Sequence, residues 1–111
     1  MDDGLRVISV HGELDLETAP QLEAPLDAAL AAGESNIVID LSECEFIDST
    51  GIAVIVRAWQ RVSGNGSEGL GGDLVLCCSS DQVNRLLKIT GVESSISMHP
   101  DRDAAVASLR G

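Results

Sequence analysis

The sequence predicts a single α/β domain over residues 1–111, with a mixed β-sheet of about four to five strands and about four helices packed against it. Its 111 residues suffice for one hydrophobic core and no second one. Hydrophobic residues make up 44% of the chain and charged residues 23%, which is typical of a folded domain and not of a disordered acidic tail. Strand-like and helix-like segments alternate, the pattern of parallel strands joined by right-handed crossovers.

The chain begins with a predicted β-hairpin. Residues 5–10 mix apolar and polar side chains and are rich in β-branched residues, which predicts a half-buried strand. His11 and Gly12 form the turn, and residues 13–16 follow as a short return strand or an exit loop. This initial hairpin is the reason for expecting a mixed sheet.

The first helix and a central strand come next. Thr18 and Gln21 have the spacing of a capping box, and apolar residues then recur at helical intervals until Gly33. Pro25 lies inside this pattern and is expected to kink the helix or to delay its start. Residues 36–41 have the near-continuous apolar character of a central strand.

The middle of the chain holds a polar turn, a second helix and a glycine-rich loop. The turn is predicted over residues 42–45. Apolar residues at helical spacing behind Gly51 predict a helix that ends near Ser63. Residues 63–72 form a flexible glycine-rich loop. Residues 64–69 match the pattern G-x-G-x-x-G, but a dinucleotide site would follow a strand and open a helix, whereas this segment follows a helix and precedes a strand.

The last third of the chain continues the alternation of predicted strands and helices. Residues 73–78 read as a strand, and residues 79–81 cap a third helix that stops at Gly91. Residues 95–98 form a weak last strand, and Asp101 opens a short final helix.

The charge is strongly negative and unevenly distributed. Eighteen carboxylates against seven Lys and Arg residues give a net charge of −11, so nucleic acid and anionic membrane surfaces would be repelled. Twelve of the carboxylates and a single cation, Arg6, precede Ser49; six acidic and six basic residues follow. This acidic part is either a solvated surface that keeps the protein soluble or a docking face for a basic protein partner.

Several features indicate a cytoplasmic protein without membrane insertion. Apolar runs stop at five residues, which is too short to span a bilayer, and the N-terminus lacks the pattern of a secretion signal. Three cysteines, Cys44, Cys77 and Cys78, are an odd number without framework spacing, which favours free thiols. Cys77 and Cys78 are neighbours in a predicted strand, so they should point to opposite faces, with at least one as a buried apolar side chain.

The sequence does not predict an enzyme. His11 and His99 are the only imidazoles, and neither has the spacing of a metal site or a catalytic triad. We therefore expect no catalytic residue, no metal and no cofactor.

The segment from Asp48 to Gly51 is the strongest candidate site. Asp48 or Ser49 would cap the following helix, an interaction worth about 1 kcal/mol. Gly51 in the first turn costs roughly 1 kcal/mol relative to alanine. Its missing side chain is expected to leave the backbone open to close approach by another molecule.

Four segments together resemble the signatures of the STAS domain, in particular of the stand-alone bacterial anti-sigma factor antagonists. They are Gly-Glu-Leu-Asp at residues 12–15, Ile-Val-Ile-Asp-Leu at 37–41, Phe-Ile-Asp-Ser-Thr-Gly-Ile at 46–52 and Leu-Leu-Lys-Ile-Thr-Gly-Val at 86–92. The resemblance covers nearly the whole chain in the same order. It implies a mixed sheet with helices packed against it.

The resemblance also implies the site residues. The serine that follows the aspartate is the phosphorylation site in that family, and this position is Ser49. Thr50 is a possible competing acceptor. Asp15 matches the aspartate that contacts the partner, and the partner surface would comprise Asp15, Asp48, Ser49, Thr50 and Gly51.

The implied function is that of a regulatory binding module. Unmodified, the protein would bind an anti-sigma factor that is also a serine kinase, and so release a sigma factor. The kinase would hold ATP and magnesium on its own side and phosphorylate Ser49, and a phosphatase would reverse the modification.

Elementary electrostatics agrees with such a switch. A phosphate adds a charge of about −1.5 to −2 and gains about 0.3–1 kcal/mol from the helix dipole. Opposite a partner carboxylate at about 6 Å, it would cost roughly 1.4 kcal/mol in water and about 5 kcal/mol at an effective dielectric constant of 20. Repulsion across an interface therefore outweighs the local gain.

Two other functions remain open from the sequence. One is a STAS accessory subunit of a transporter ATPase or of a signalling scaffold, without phosphorylation. The other is a ligand or nucleotide sensor that uses the helix N-terminus as an anion site.

Overall fold

The computed structural model describes residues 5–34, 36–63 and 72–110. Its elements are β1 (Leu5–Leu14), α1 (Ala19–Ala31), β2 (Asn36–Ile47), α2 (Ser49–Ser63), β3 (Asp73–Cys77), α3 (Asp81–Ile89), a 3-10 turn (Val92–Ser94), β4 (Met98–His99) and α4 (Arg102–Arg110). The α/β class with four helices is confirmed. The match to G-x-G-x-x-G and most of the predicted glycine-rich loop lie outside the described residues.

The described sheet is parallel throughout, so the predicted mixed sheet is wrong. Its strands follow the order β1-β2-β3-β4, and each pairs in parallel with its neighbour. The residues expected to turn back at His11 and Gly12 instead continue β1, which pairs with β2 as far as Leu14. Gly12 allows this continuation with φ of +77°, and two register shifts in the pairing absorb the irregularity.

The predicted polar turn over residues 42–45 is also wrong, because β2 runs through it. Cys44 and Ile47 are buried on the core side of this extension, whereas Glu43, Glu45 and Phe46 are exposed. Pairing with the second half of β1 supplies the backbone hydrogen bonds that a strand needs. β2 therefore ends directly before Asp48.

Helix α1 begins without the predicted capping box. The Thr18 hydroxyl accepts from the backbone N–H of Asp15 and donates to the carbonyl of Glu13, both at 2.8 Å, so it does not cap the helix. The helix starts at Ala19 and passes through Pro25, so the proline does not delay its start.

Helices cover both faces of the sheet. Residues of α1, α2 and α3 share the larger hydrophobic cluster, and Ala105 of α4 belongs to a smaller cluster on the opposite face. Cys77 belongs to the smaller cluster and Cys78 to the larger one, which confirms that the two point to opposite faces. Both are buried, and all three cysteines are free.

Helix α4 is also tied to the sheet by an ion pair. The guanidinium of Arg102 donates to the carboxylate of Asp40 from Nε at 3.0 Å and from Nη2 at 2.8 Å, and Nη2 also donates to the hydroxyl of Ser9 at 2.7 Å. Asp40 lies in the middle of β2 and is 7% exposed. The last strand is shorter than predicted and begins at Met98. No helix in the described part of the chain is long and apolar enough to cross a membrane.

Candidate functional site at the start of the second helix

The predicted site residues meet where β1 and β2 end. The backbone N–H of Asp48 donates to the carbonyl of Leu14 at 3.1 Å. Asp15 follows Leu14 in the chain and Ser49 follows Asp48, so this bond brings the two loops together at the carboxyl edge of the sheet. Ligands and partners of parallel α/β sheets commonly bind at this edge.

Asp48 caps α2. Its Oδ1 accepts hydrogen bonds from the backbone N–H groups of Thr50 at 2.9 Å and Gly51 at 3.1 Å. Its backbone carbonyl accepts the first helical bond, from Ile52 at 3.0 Å. Of the two caps that the sequence left open, the structure selects Asp48.

Ser49 is therefore not needed to cap the helix. It is exposed, and its hydroxyl makes no hydrogen bond to any residue that the structure describes. Thr50, the next residue, is half-buried. The Ser49 hydroxyl is thus the more accessible of the two candidate acceptors.

The surroundings of Gly51 contradict the expectation that its missing side chain leaves the backbone open to another molecule. A Cβ atom at this position would lie 2.7 Å from Cγ of Leu14, 2.9 Å from the carbonyl oxygen of Leu14 and 3.0 Å from Cγ1 of Ile47. The space left by the missing side chain is therefore occupied by the protein itself and is not open to another molecule. Gly51 is buried and allows α2 to pack against the end of β1, and its direct contact with a partner stays a prediction.

Asp15 organises the loop between β1 and α1. Its Oδ1 accepts from the backbone N–H groups of Glu17 at 3.0 Å and Thr18 at 3.1 Å, and its carbonyl accepts from Ala19 at 2.7 Å. The hydrogen bonds of the carboxylate all go to Oδ1, and the side chain is only half-buried. Oδ2 is left to meet solvent or a partner.

Two apolar side chains beside these residues were not singled out from the sequence. Leu16 is 73% exposed and Phe46 is 40% exposed, which makes them unusual on the described surface. Leu16 follows Asp15, and Phe46 precedes Ile47 and Asp48 at the end of β2. The available signal was their position next to the two predicted aspartates, but only the strand pairing shows that Phe46 faces outwards.

Several carboxylates in and near the two loops of the site have no cationic partner. Four acidic residues elsewhere form ion pairs, at N–O distances of 2.8–3.2 Å: Glu34 with Arg6, Glu23 with Arg57, Asp27 with Arg61 and Asp40 with Arg102. Glu13, Asp15, Glu17, Glu45 and Asp48 form no ion pair within the described ranges, and the same holds for Glu43, Asp73, Asp81, Asp101 and Asp103. The docking face for a basic partner therefore stays a prediction beside the solvated surface.

The remaining candidates do not form a site. His11 and His99 lie on the two edge strands, β1 and β4, with β2 and β3 between them. No group of three His, Cys, Asp or Glu residues in the described segments could hold a metal ion.

Comparisons with known proteins concern the family and the fold of the chain. The family model of the STAS domain matches residues 1–105. BtrV of Bordetella bronchiseptica, assigned to the anti-sigma factor antagonists, is 30% identical over 108 residues, which cover 97% of this chain and 89% of BtrV. The anti-sigma-B factor antagonist of Staphylococcus aureus is 33% identical over 86 residues, 78% of this chain and 75% of that protein. The crystal structure of an anti-sigma factor antagonist from Mycobacterium paratuberculosis superposes with a TM-score of 0.84 at 28% identity, covering 98% of this chain and 88% of that one.

Proposed function

The chain belongs to the STAS domain family, the relatives named above are anti-sigma factor antagonists, and we propose that this chain binds an anti-sigma factor serine kinase through the surface around Ser49. Phosphorylation of Ser49 by that kinase ends the complex, and a phosphatase restores binding. The protein is the regulator and the substrate in this cycle, not the enzyme. The kinase binds the ATP and magnesium, and the cycle of binding, phosphorylation and dephosphorylation takes place in the cytoplasm.

The proposal rests on the different roles of Asp48, which caps the helix, and Ser49, which does not. Asp48 supplies the helix cap through Oδ1, so the Ser49 hydroxyl is exposed and uncommitted at the helix start. A hydroxyl in this position can contact a partner and can also be phosphorylated without removing a bond that the fold needs.

The surroundings of Ser49 explain how a phosphate would end binding. Leu16 and Phe46 present apolar surface at the same edge of the sheet, and Asp15 and Asp48 add negative charge. A phosphate at an apolar interface must lose its water, and one next to carboxylates is repelled by them. Two N–H groups of the first helical turn are already bonded to Asp48, so the free protein offers the phosphate only about 0.3–1 kcal/mol through the helix dipole.

The same geometry favours Ser49 over Thr50 as the acceptor. A kinase must bring the hydroxyl to the γ-phosphate of ATP, which requires an accessible side chain. Ser49 is exposed, whereas Thr50 is half-buried against the chain. Incubation with the cognate kinase and ATP, followed by mass spectrometry, should therefore yield one phosphate on Ser49. We expect none in the Ser49→Ala variant and an unchanged yield in Thr50→Val.

Binding to the kinase tests the switch directly. By calorimetry, Ser49→Ala should retain binding and Ser49→Asp should lose at least tenfold in affinity, or about 1.4 kcal/mol. Ser108→Asp is the matched control, because it introduces the same charge at an exposed serine of α4 on the opposite face of the sheet. Full binding by Ser49→Asp would contradict the proposal. Absence of a phosphate on Ser49 together with co-purification of a transporter ATPase would instead support the accessory-subunit function.

A further inference from the structure

The two most exposed large apolar side chains of the described surface lie in surroundings of opposite charge. Leu16 is 73% exposed in the loop before α1, and Ile89 is 74% exposed at the end of α3. Isolated apolar side chains on a surface are common, but here each one stands beside ionic groups that lack an intramolecular partner.

Ile89 belongs to a basic patch that we define as Arg85, Lys88 and Ile89. These residues are related by three and four positions in α3, so they lie on one face of the helix. All three are exposed, and neither cation forms an ion pair within the described ranges. Asp81 lies one turn earlier on this face, which leaves the face with a net charge of +1. The four other cations whose side chains are described are all paired.

Leu16 belongs to an acidic loop that we define as Glu13, Asp15, Leu16 and Glu17. Glu13 and Glu17 are exposed and Asp15 is half-buried. The hydrogen bonds of this loop hold its backbone in place through Asp15 and Thr18, so Leu16 is presented from an ordered turn. The loop and the basic patch thus each combine one exposed aliphatic side chain with two or three unpaired charges of a single sign.

We infer that the basic patch of one copy of this chain binds the acidic loop of a second copy. Leu16 would pack against Ile89, and the carboxylates of the loop would meet Arg85 and Lys88. Because the two surfaces are different parts of the molecule, the contact is head-to-tail and leaves a free loop at one end and a free patch at the other. The complementary charges select the orientation.

The contact is small and should be weak. Two aliphatic side chains and a few rim charges fall well below the area of a standard stable interface, so we expect a Kd on the order of 0.1–1 mM. The acidic loop contains Asp15, so self-association would compete with the kinase; that consequence rests on the proposed function, whereas the self-association itself does not.

Two single-site variants test the inference. The weight-average molecular mass of the wild-type protein, measured by sedimentation equilibrium, should rise above the monomer value of 11.6 kDa as the protein concentration approaches about 1 mM. Leu16→Ser and Ile89→Ser should each stay monomeric over that range, with unchanged circular dichroism because both side chains are exposed.

Mixing the two variants gives the decisive result. Leu16→Ser retains an intact patch and Ile89→Ser retains an intact loop, so an equimolar mixture should form a heterodimer that grows no further. Monomeric behaviour of the wild type up to about 1 mM, or a mixture in which the two variants do not associate, would overturn the inference. If Ile89→Ser weakens kinase binding while the wild type stays monomeric, the basic patch serves the kinase and the inference is wrong. The mass of the isolated chain does not depend on the kinase, so failure here leaves the phosphorylation switch untouched.

Discussion

The first turn of α2 packs so closely on the end of β1 that a Cβ atom at Gly51 would lie 2.7 Å from Cγ of Leu14. Glycine-to-alanine substitution inside a helix usually stabilises a protein by about 0.5–1 kcal/mol. At this position we expect the opposite sign, a loss of about 1–3 kcal/mol, because the backbone carbonyl of Leu14 at 2.9 Å limits the relief that side-chain movement can give. Urea denaturation of Gly51→Ala measures this loss.

A double-mutant cycle assigns the loss to the contact. In a Leu14→Ala background, where Cγ is absent, Gly51→Ala should cost less than in the wild type, with a coupling of about 0.5 kcal/mol or more. Additive costs of the two substitutions would show that the close approach to the Leu14 side chain is not the cause.

Asp48 should contribute to stability through its cap and not through its charge alone. Asp48→Ala removes the acceptor for the N–H groups of Thr50 and Gly51 and should lower the free energy of unfolding by about 1 kcal/mol. Asp48→Asn retains an amide oxygen at the same position and should lose less than half of that amount. Equal losses in both variants, measured by urea denaturation, would contradict a role in capping.

Asp40 should make stability depend on acid pH. Burial by itself would raise the pKa of this carboxyl, but hydrogen bonds from Ser42 and the Arg102 guanidinium outweigh it and lower the pKa to about 2, from an ordinary value of 3.8. A group with a lowered pKa in the folded state stabilises the fold above its unfolded pKa. We therefore expect a contribution of about 2 kcal/mol at neutral pH that declines as the pH falls from about 4 towards 2.

The matched variant for this prediction is Asp40→Asn. Its unfolding free energy should lie about 2 kcal/mol below that of the wild type at neutral pH, and the difference should shrink by about half near pH 3. A difference that stays constant between these two conditions would attribute the effect to packing and not to the ionised carboxylate.

The three cysteines should react only when the protein opens. Burial raises the pKa of the Cys77 thiol to about 12 and moves the pKa values of Cys44 and Cys78 in the same direction, so almost no thiolate is present near neutral pH. A disulfide reagent should label the native protein slowly and all three thiols rapidly in concentrated guanidinium chloride. Rapid labelling of one thiol in the native protein would reveal local opening of the element that covers it.

Local patterns predicted most helices and strands but failed where another partner, near or distant in the sequence, binds the same polar groups. Thr18 and Gln21 have the spacing of a capping box, yet the Thr18 hydroxyl is bound by the backbone of Asp15 and Glu13, which the end of β1 places within reach. His11 and Gly12 resemble a turn, yet their backbone pairs with the extension of β2. For Thr18 a competing local turn prevails over the capping box, and for His11 and Gly12 a long-range strand pairing prevails over the local turn preference.

The sequence by itself determined the α/β class through its hydrophobic periodicity, and the resemblance of four segments to the STAS domain indicated the family and the candidate phosphorylation site. Only the tertiary structure decided that the described sheet is parallel, that Asp48 and not Ser49 caps α2, and that Gly51 makes room for Leu14. It also revealed the outward direction of Phe46 and the opposite surroundings of Leu16 and Ile89. The strand pairing, the fit of Gly51 against Leu14 and the exposed side chains depend on how distant strands and helices pack, and sequence spacing carries no information about that packing.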